Sequence, residues 1–190
     1  MTSLNKEIDF VLIGGWAVYL YTGLHKSKDI DILVELNELY QLKEKFDLRK
    51  NDRLHKYEVS EEGFDIDIYV PFFSELAIPV EELISKHSLM VNGLKTVSVE
   101  ALTVLKLAAF LDRKNSVKGS KDEIDIVSLL KYGGFNAKKF RELTDSINKP
   151  NYFKELNSLI KGFAFSDYTG MKFNEFPKWK KQIIEEMKQS

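Results

Sequence analysis

Apolar and polar residues alternate over short stretches in the first half of the chain, and apolar residues recur at helical spacing in the second half. In the first half this pattern predicts strands at residues 10–13, 29–34, 57–59 and 64–70, and a hairpin over residues 89–97. Short helices are predicted between them at residues 16–21, 38–46 and 78–86. Glu61-Glu62-Gly63 and Asn92-Gly93 favour hairpin turns, and Asn37 is a candidate cap for the second helix. The first half therefore has the pattern of a mixed α/β unit.

The second half of the chain has the pattern of a helical segment. Helices are predicted from residue 99 to about 111, and at residues 122–130, 137–147, 152–160 and 178–187. A polar, glycine-containing loop is expected at residues 114–120, and Gly133-Gly134 is expected to end the second of these helices. The pattern changes near Ser98. We therefore expect an α/β core at residues 1–98 and a helical segment at residues 99–190.

Composition and charge narrow the classes of chemistry. The 190 residues contain no cysteine, which excludes disulfides, thiolate metal sites and cysteine nucleophiles. Lysine and arginine number 28 against 29 acidic residues, and this balance does not by itself indicate a nucleic-acid-binding protein. The chain starts MTSLNKEIDF, without the apolar run of a signal peptide, and no stretch has the ~20 apolar residues of a membrane span. We expect a cytoplasmic protein that does not enter a membrane.

The first chemical feature is Gly14-Gly15 followed, on the next predicted strand, by Asp29 and Asp31. Residues two apart on a strand face the same way, so the two carboxylates project together and repel each other. A divalent cation offsets that repulsion, and hard oxygen ligands suit Mg²⁺. The glycine pair falls at a strand-to-helix turn, where backbone N–H groups attract phosphate. The alternative interpretation is a half-exposed strand with solvated acids.

A second acidic pair, Asp65 and Asp67, lies on the hairpin strand. A third carboxylate from a neighbouring strand would complete a two-metal site, which activates an attacking hydroxyl and stabilises a leaving pyrophosphate. We favour Asp67, because Ile66 and Ile68 flank it in an apolar strand end. Asp65 lies nearer the turn, where solvation alone would account for it.

A glycine pair, a short helix and Asp-x-Asp on a strand resemble the signature of the DNA-polymerase-β-type nucleotidyltransferase superfamily, in which a third acid follows on a later strand. The resemblance implies an α+β class with the polymerase-β-like nucleotidyltransferase fold, a small mixed sheet with helices, followed by a helical C-terminal segment. The segment GLHKSKDIDILV further resembles the abortive-infection (AbiEii-like) toxin branch. That branch carries Arg-x-Thr-x-Asp-x-Asp here, and His25 and Ser27 stand at the Arg and Thr positions.

The same branch has a helix with Lys-x-x-Ala and an Arg, followed by a Lys-Asp-x-x-Asp run. This chain matches that pattern at six positions: Lys106, Ala109, Arg113, Lys121, Asp122 and Asp125. The resemblance implies that Lys106 contacts nucleotide phosphates and that Asp122 and Asp125 support the site. The alternatives are a Lys106 side chain that reaches the surface from an apolar helix, and an ordinary ion pair between helices.

The resemblance spans about residues 8–130 and implies transfer of a nucleoside monophosphate from a nucleoside triphosphate to an acceptor hydroxyl. Two Mg²⁺ ions, or Mn²⁺ in their place, would be the cofactors. The implied metal ligands and catalytic residues are Asp29, Asp31 and Asp67. The implied nucleotide-binding residues are Gly14, Gly15, Ser27, Lys28 and Lys106.

The acceptor and the partners are less constrained than the reaction. Resemblance to the toxin branch implies RNA, such as a tRNA end, and an antitoxin protein as a partner. A second interpretation is a small-molecule acceptor, as in the aminoglycoside-modifying relatives. A third is a nucleotide-binding module that keeps the fold without catalysis, although all three acidic positions are filled.

Overall fold

The structure is a computed structural model that describes residues 8–61 and 63–190. Glu62 of the predicted turn and the first seven residues of the chain lie outside the described residues. The chain divides into two compact units, Met1–Ser98 and Val99–Ser190. In the described part of the chain, no helix is long and apolar enough to cross a membrane.

The first unit is a mixed sheet with helices. Its strands are β1 (Val11–Ile13), β2 (Asp29–Leu33), β3 (Arg49–Asn51), β4 (Lys56–Glu61), β5 (Phe64–Tyr69), β6 (Ser88–Val91) and β7 (Leu94–Val97). Its helices are α1 (Gly14–Thr22), α2 (Leu36–Lys45) and α3 (Val80–Lys86). The strands lie in the order β3-β4-β5-β2-β1-β7-β6. β2 pairs in parallel with β5 and β1 in parallel with β7, and the other neighbours are antiparallel.

The core of this unit lies on the three central strands. β1 is buried along its whole length, and Ile32, Ile66 and Ile68 of β2 and β5 are buried, whereas Ile30 is half-buried. This confirms the strands predicted from alternation, because Ile30, Ile32, Ile66 and Ile68 share one face and the aspartates between them share the other. The hairpin around Asn92-Gly93 is also confirmed, with φ values of 50° and 80° at the two turn residues.

Two features of the first unit differ from the predictions. β3 has no counterpart among the predicted strands, because this edge strand carries Arg49 and Lys50, both exposed, in place of an apolar alternation. Asn37 does not cap α2. The helix begins at Leu36 with Glu35 at the cap position, and the Asn37 amide donates instead to Glu38.

His87, at the end of α3, is a half-buried imidazole. Its Nε2 is buried, lies 3.9 Å from the Glu82 carboxylate, and makes no hydrogen bond with any described residue. Burial lowers the pKa of His87 below its ordinary value of 6.5, against the raising effect of Glu82 and with a smaller lowering by Lys86. Below pH 6.5 the unfolded chain therefore takes up a proton that the folded chain resists.

We expect the free energy of unfolding to fall as pH drops from above 6.5 through the lowered pKa of His87. The depressed pKa means that the stabilisation is fully present above 6.5 and lost at lower pH. Urea unfolding of wild type and His87→Gln, at about pH 7.5 and about pH 5.5, measures this loss of stability. The wild type should lose more stability than the variant, and equal losses would contradict the assignment.

The second unit is helical. It consists of α4 (Val99–Asp112), α5 (Val117–Tyr132), α6 (Ala137–Ser146), α7 (Asn151–Gly162), a short 3-10 helix (Asp167–Thr169) and α8 (Phe176–Gln189). Its core combines the apolar faces of these helices, with Leu107, Ile126, Phe140 and Ile160 fully buried. The α+β class, a mixed sheet with helices followed by a helical segment, is thus confirmed.

The start of α5 corrects the predicted loop at residues 114–120. The helix begins at Val117, because the Ser116 hydroxyl caps it by accepting a hydrogen bond from the Gly119 N–H at 3.0 Å. Gly119 is needed there, because a Cβ would overlap the Arg113 carbonyl oxygen. A glycine that reads as a loop residue in the sequence therefore allows close backbone approach in the first turn of a helix.

Candidate active site

Four aspartates lie on one face of the sheet where β2 and β5 run side by side. In the parallel register Asp29 lies opposite Asp65, and Asp31 lies opposite Asp67. Paired residues on neighbouring strands share a face, and so do residues two apart on one strand. The outer pair, Asp29 and Asp65, is exposed, whereas Asp31 and Asp67 are half-buried. The more enclosed acids are thus side by side at the centre of the sheet.

Gly14 lies directly against the Asp31 carboxylate. Ile13 pairs with Asp31 across β1 and β2, so the chain turns into α1 beside that side chain. A Cβ on Gly14 would overlap Oδ2 of Asp31, and the residue has a φ of 64°, which disfavours any side chain. The turn therefore requires glycine for two separate reasons, and it places the start of α1 next to an acidic side chain.

Gly15 makes the same kind of contact with Ser27. A Cβ on Gly15 would lie 2.7 Å from the Cβ of Ser27 and 2.9 Å from its Oγ. The segment before β2 is thereby packed against the first turn of α1. Lys28, which follows Ser27, is exposed, and the Lys26 ammonium lies 5.9 Å and 5.3 Å from the ring centres of Trp16 and Tyr19. A hydroxyl and two lysines thus flank the start of the acidic strand.

Gly14→Ala is expected to destabilise the protein more than Gly23→Ala. Both glycines have left-handed backbones, with φ values of 64° and 71°, and an alanine costs about 1–2 kcal/mol in that conformation. Only Gly14 also faces an overlap, because a Cβ on Gly23 would meet nothing within 4 Å. Denaturant unfolding of the two variants measures the difference. Equal losses of unfolding free energy would show that the backbone beside Asp31 shifts at little energetic cost.

Asp67 is held by a lysine that the sequence did not single out. The Lys56 ammonium lies 2.6 Å from Oδ2 of Asp67 and 3.0 Å from Oε1 of Glu58. Glu58 in turn accepts a hydrogen bond from the Asn51 amide at 3.1 Å. Lys56 and Glu58 are two apart on β4, and Glu58 lies opposite Asp67, so all three side chains share the acidic face.

Burial and charge act against each other at this ion pair. Burial raises the pKa of the Asp67 carboxyl; Lys56 opposes the rise, and Glu58 and Asp29 add to it. For Lys56, burial lowers the pKa, but the hydrogen bonds with Asp67 and Glu58 outweigh burial and leave the pKa raised. The raised pKa of Asp67 favours a neutral carboxyl, whereas the raised pKa of Lys56 favours a charged ammonium. A contact of 2.6 Å is that of a charge-assisted pair, so we treat both groups as ionised.

Asp31 also receives a polar contact from β5. The Tyr69 hydroxyl donates to Oδ1 of Asp31 at 3.3 Å. Tyr69 is two residues beyond Asp67 on the same strand, and it therefore stands on the acidic face as well. The half-buried part of this face thus includes carboxylates, the Tyr69 phenol, the Lys56 ammonium and the Asn51 amide. Among the described residues, no three His, Asp or Glu side chains are already grouped closely enough to hold a metal ion.

In the helical unit, the charged residues of the second motif form a buried network. The Lys106 ammonium lies 2.7 Å from Asp125 and 3.3 Å from Asp122, and the Arg113 guanidinium lies 2.6 Å from Asp122. Asp122 is 1% exposed and Lys106 is 9% exposed. The ordinary ion pair that the sequence offered as an alternative is thereby confirmed for Arg113 and Asp122. A role for Lys106 in binding phosphate stays a prediction.

Three residues of the acidic face were missed by sequence reasoning: Lys56, Glu58 and Tyr69. The signal was present in part, because Lys56 and Glu58 alternate with Tyr57 and Val59, and residues 57–59 were predicted as a strand. What was missing was the register that sets Glu58 opposite Asp67. That register is a property of the assembled sheet.

No known family and no curated protein matches the chain in sequence. Solved structures do match. JHP933 from Helicobacter pylori has a TM-score of 0.52 and 19% identity, over 96% of this chain and 87% of that one. A candidate nucleotidyltransferase from H. pylori has a TM-score of 0.52 and 18% identity, over 96% and 89%. The antibiotic-resistance factor ANT(2'')-Ia has a TM-score of 0.51 and 16% identity, over 76% and 84%.

The chain therefore has the polymerase-β-like nucleotidyltransferase fold, as its resemblance implied. The particular structures that it resembles are a pair from H. pylori and an antibiotic-resistance factor. At 16–19% identity these likenesses define the fold and leave the reaction to be argued from the chain's own residues.

Proposed function

We propose that the chain is a metal-dependent nucleotidyltransferase, which transfers a nucleoside monophosphate from a nucleoside triphosphate to an acceptor hydroxyl. The observation that carries the proposal is the parallel register of β2 and β5. It sets Asp31 beside Asp67 on one face, with Asp29 two residues away and Gly14 in contact with Asp31. Asp67 on β5, Asp29 and Asp31 on β2, and Gly14 directly after β1 are thus brought together by three neighbouring strands.

The residues of this face fit a divalent cation by their chemistry. Carboxylate oxygens are the ligands that Mg²⁺ and Mn²⁺ prefer, and Asp29, Asp31 and Asp67 would supply them. Asp67 is favoured over Asp65 because it lies opposite Asp31, the acid that contacts Gly14. Two bound ions would supply activation of the acceptor hydroxyl and neutralisation of the leaving pyrophosphate.

The residues around the start of α1 would bind the triphosphate. Gly14 and Gly15 begin α1, and no side-chain cap bond occupies the N–H groups of its first turn. Ser27 packs against Gly15 and can donate its hydroxyl to a phosphate oxygen, and the exposed Lys28 can add a positive charge. Catalysis in this arrangement is mainly positioning and charge neutralisation.

Lys106 enters the proposal only through the resemblance. Its ammonium is already paired with Asp122 and Asp125 in the helical unit. The two aspartates would keep it charged and oriented.

For the acceptor we propose RNA, such as a tRNA end, as in the AbiEii-like toxin branch, with an antitoxin protein as a partner. The support is the run of residues 23–34, which resembles that branch. A small-molecule acceptor is the second candidate, and the likeness to the antibiotic-resistance factor ANT(2'')-Ia supports it.

The test is incorporation of each of the four labelled nucleoside triphosphates in the presence of Mg²⁺, with total RNA, with an aminoglycoside, or with no acceptor. Incorporation into RNA that falls steeply with salt supports the RNA acceptor. Incorporation into the aminoglycoside alone would replace it with the small-molecule acceptor. No incorporation under any condition would overturn the enzyme and leave a non-catalytic nucleotide-binding module.

A further inference from the structure

We infer that Lys56 competes with the divalent cation for the Asp67 carboxylate. Its ammonium pairs with Asp67 in the metal-free protein and with Glu58 alone when the metal binds. The inference rests on the proposed function, because it takes Asp67 as a metal ligand. It assigns a positioning role to two residues, Lys56 and Glu58, that lie outside the nucleotidyltransferase signature.

The contacts of Lys56 support the first half of the inference. Its ammonium lies 2.6 Å from Asp67, and its side chain is only 12% exposed. An oxygen of Asp67 that accepts a hydrogen bond from an ammonium at this distance has one fewer lone pair to offer a cation. In this structure the third acid of the face is therefore directed to a lysine, even though its backbone register places it beside Asp31.

The charge distribution explains why a cation is needed there. Asp29, Asp31, Asp65 and Asp67 project from two adjacent strands on the same face. Like charges this close destabilise one another, and the repulsion is strongest for the half-buried members. Lys56 brings a positive charge into contact with this group, so it stabilises the fold before any metal arrives.

The position of Glu58 supports the second half. The Lys56 ammonium is already within 3.0 Å of Glu58, so it can transfer fully to that carboxylate by a small side-chain rotation. Glu58 is fixed on its other side by the Asn51 amide at 3.1 Å. The lysine would therefore stay paired after leaving Asp67, which avoids the cost of a half-buried charge without a partner.

The experiment measures Mn²⁺ binding directly, by the loss of the free-ion electron paramagnetic resonance signal, in the protein without nucleotide. Lys56→Gln is expected to bind Mn²⁺ roughly three- to tenfold more tightly than wild type. Damage to the fold would lower the affinity, so a structural role alone does not predict this direction. Lys56→Arg, which keeps the charge, should bind no more tightly than wild type.

Two control variants distinguish the exchange of Lys56 between Asp67 and Glu58 from a general effect of removing one positive charge. Lys50→Gln removes a lysine that pairs with Asp52 and lies opposite Tyr57, on the other face of the sheet from Lys56. It is expected to change the affinity by less than twofold. Glu58→Gln is expected to weaken Mn²⁺ binding, because Asp67 is then the one carboxylate that the ammonium contacts in this structure. This weakening should disappear in the Lys56→Gln background, as a double-mutant cycle would show.

Equal tightening by Lys56→Gln and Lys50→Gln would overturn the inference, and so would unchanged or weaker binding by a folded Lys56→Gln. Either result, together with Mn²⁺ binding that Asp31→Asn abolishes, would leave the proposed metal site standing. Absence of Mn²⁺ binding by both wild type and Lys56→Gln would overturn the inference and the metal site together. Circular dichroism of each variant establishes that it is folded.

Discussion

Asp31→Ala is expected to lower Mg²⁺-dependent nucleotide incorporation by roughly 10²–10³-fold, the loss typical of removing one charge-stabilising group from an active site. Asp31 is the centre of the acidic face, because Gly14 contacts it on one side, Asp67 lies opposite it on the other, and the Tyr69 hydroxyl donates to it. The measurement is the initial rate of incorporation of labelled nucleotide at saturating triphosphate.

The matched control is Asp47→Ala, which removes an exposed aspartate from the same unit. It is expected to leave the rate within about twofold and the stability within about 0.5 kcal/mol. Equal rates for Asp31→Ala and wild type would refute the assignment of the metal site. A folded Asp31→Ala protein is required for the comparison, and thermal unfolding checks it.

The same assay decides between the two candidates for the third acid. Asp67→Ala is expected to lower the rate almost as much as Asp31→Ala, whereas Asp65, which does not lie opposite Asp31, should tolerate alanine. A larger loss for Asp65→Ala than for Asp67→Ala would move the third ligand to Asp65.

Asp122→Ala is expected to destabilise the helical unit by about 3–5 kcal/mol, the usual cost of breaking a buried ion pair. Asp122 is 1% exposed and pairs with both Lys106 and Arg113. Its removal leaves Lys106, a residue that is only 9% exposed, with fewer charged partners. Urea unfolding followed by far-ultraviolet circular dichroism measures the loss.

Asp112→Ala is the control for this prediction, since Asp112 is an exposed aspartate at the end of α4. It is expected to change the free energy of unfolding by no more than about 0.5 kcal/mol. A similar small change for Asp122→Ala would show that the buried ion pairs of Asp122 contribute little to stability. The network would then be free to serve another purpose, such as the predicted contact between Lys106 and phosphate.

The features of the fold and site that could be predicted from the sequence are those that local patterns determine. The glycine turn, both Asp-x-Asp strands and the Asn92-Gly93 hairpin follow from alternation over a few residues and from dipeptides with a strong turn preference. The predicted start of α5 was wrong by five residues. Ser116 and Gly119 are typical loop residues in sequence, and only the folded helix shows that they form its cap.

What the sequence could not supply is the lateral arrangement of the sheet. That Asp31 stands beside Asp67, and Glu58 on the far side of Asp67, depends on which strands pair and in which register. A shift of one residue would turn Lys56 to the opposite face. Edge strand β3 was missed because a strand with one neighbour needs no apolar alternation to form.

The parallel pairing of β2 with β5 has a consequence for the order of folding. Asp31 and Asp67 are far apart along the chain and become neighbours only when this crossover closes. Contacts of such long range form slowly, whereas the helical unit relies on near-sequence contacts and the β4–β5 hairpin closes within a short stretch. We therefore expect the Lys56 side chain to reach Asp67 before Asp31 does, so that the Asp67 carboxylate is already paired when the two acidic strands come together.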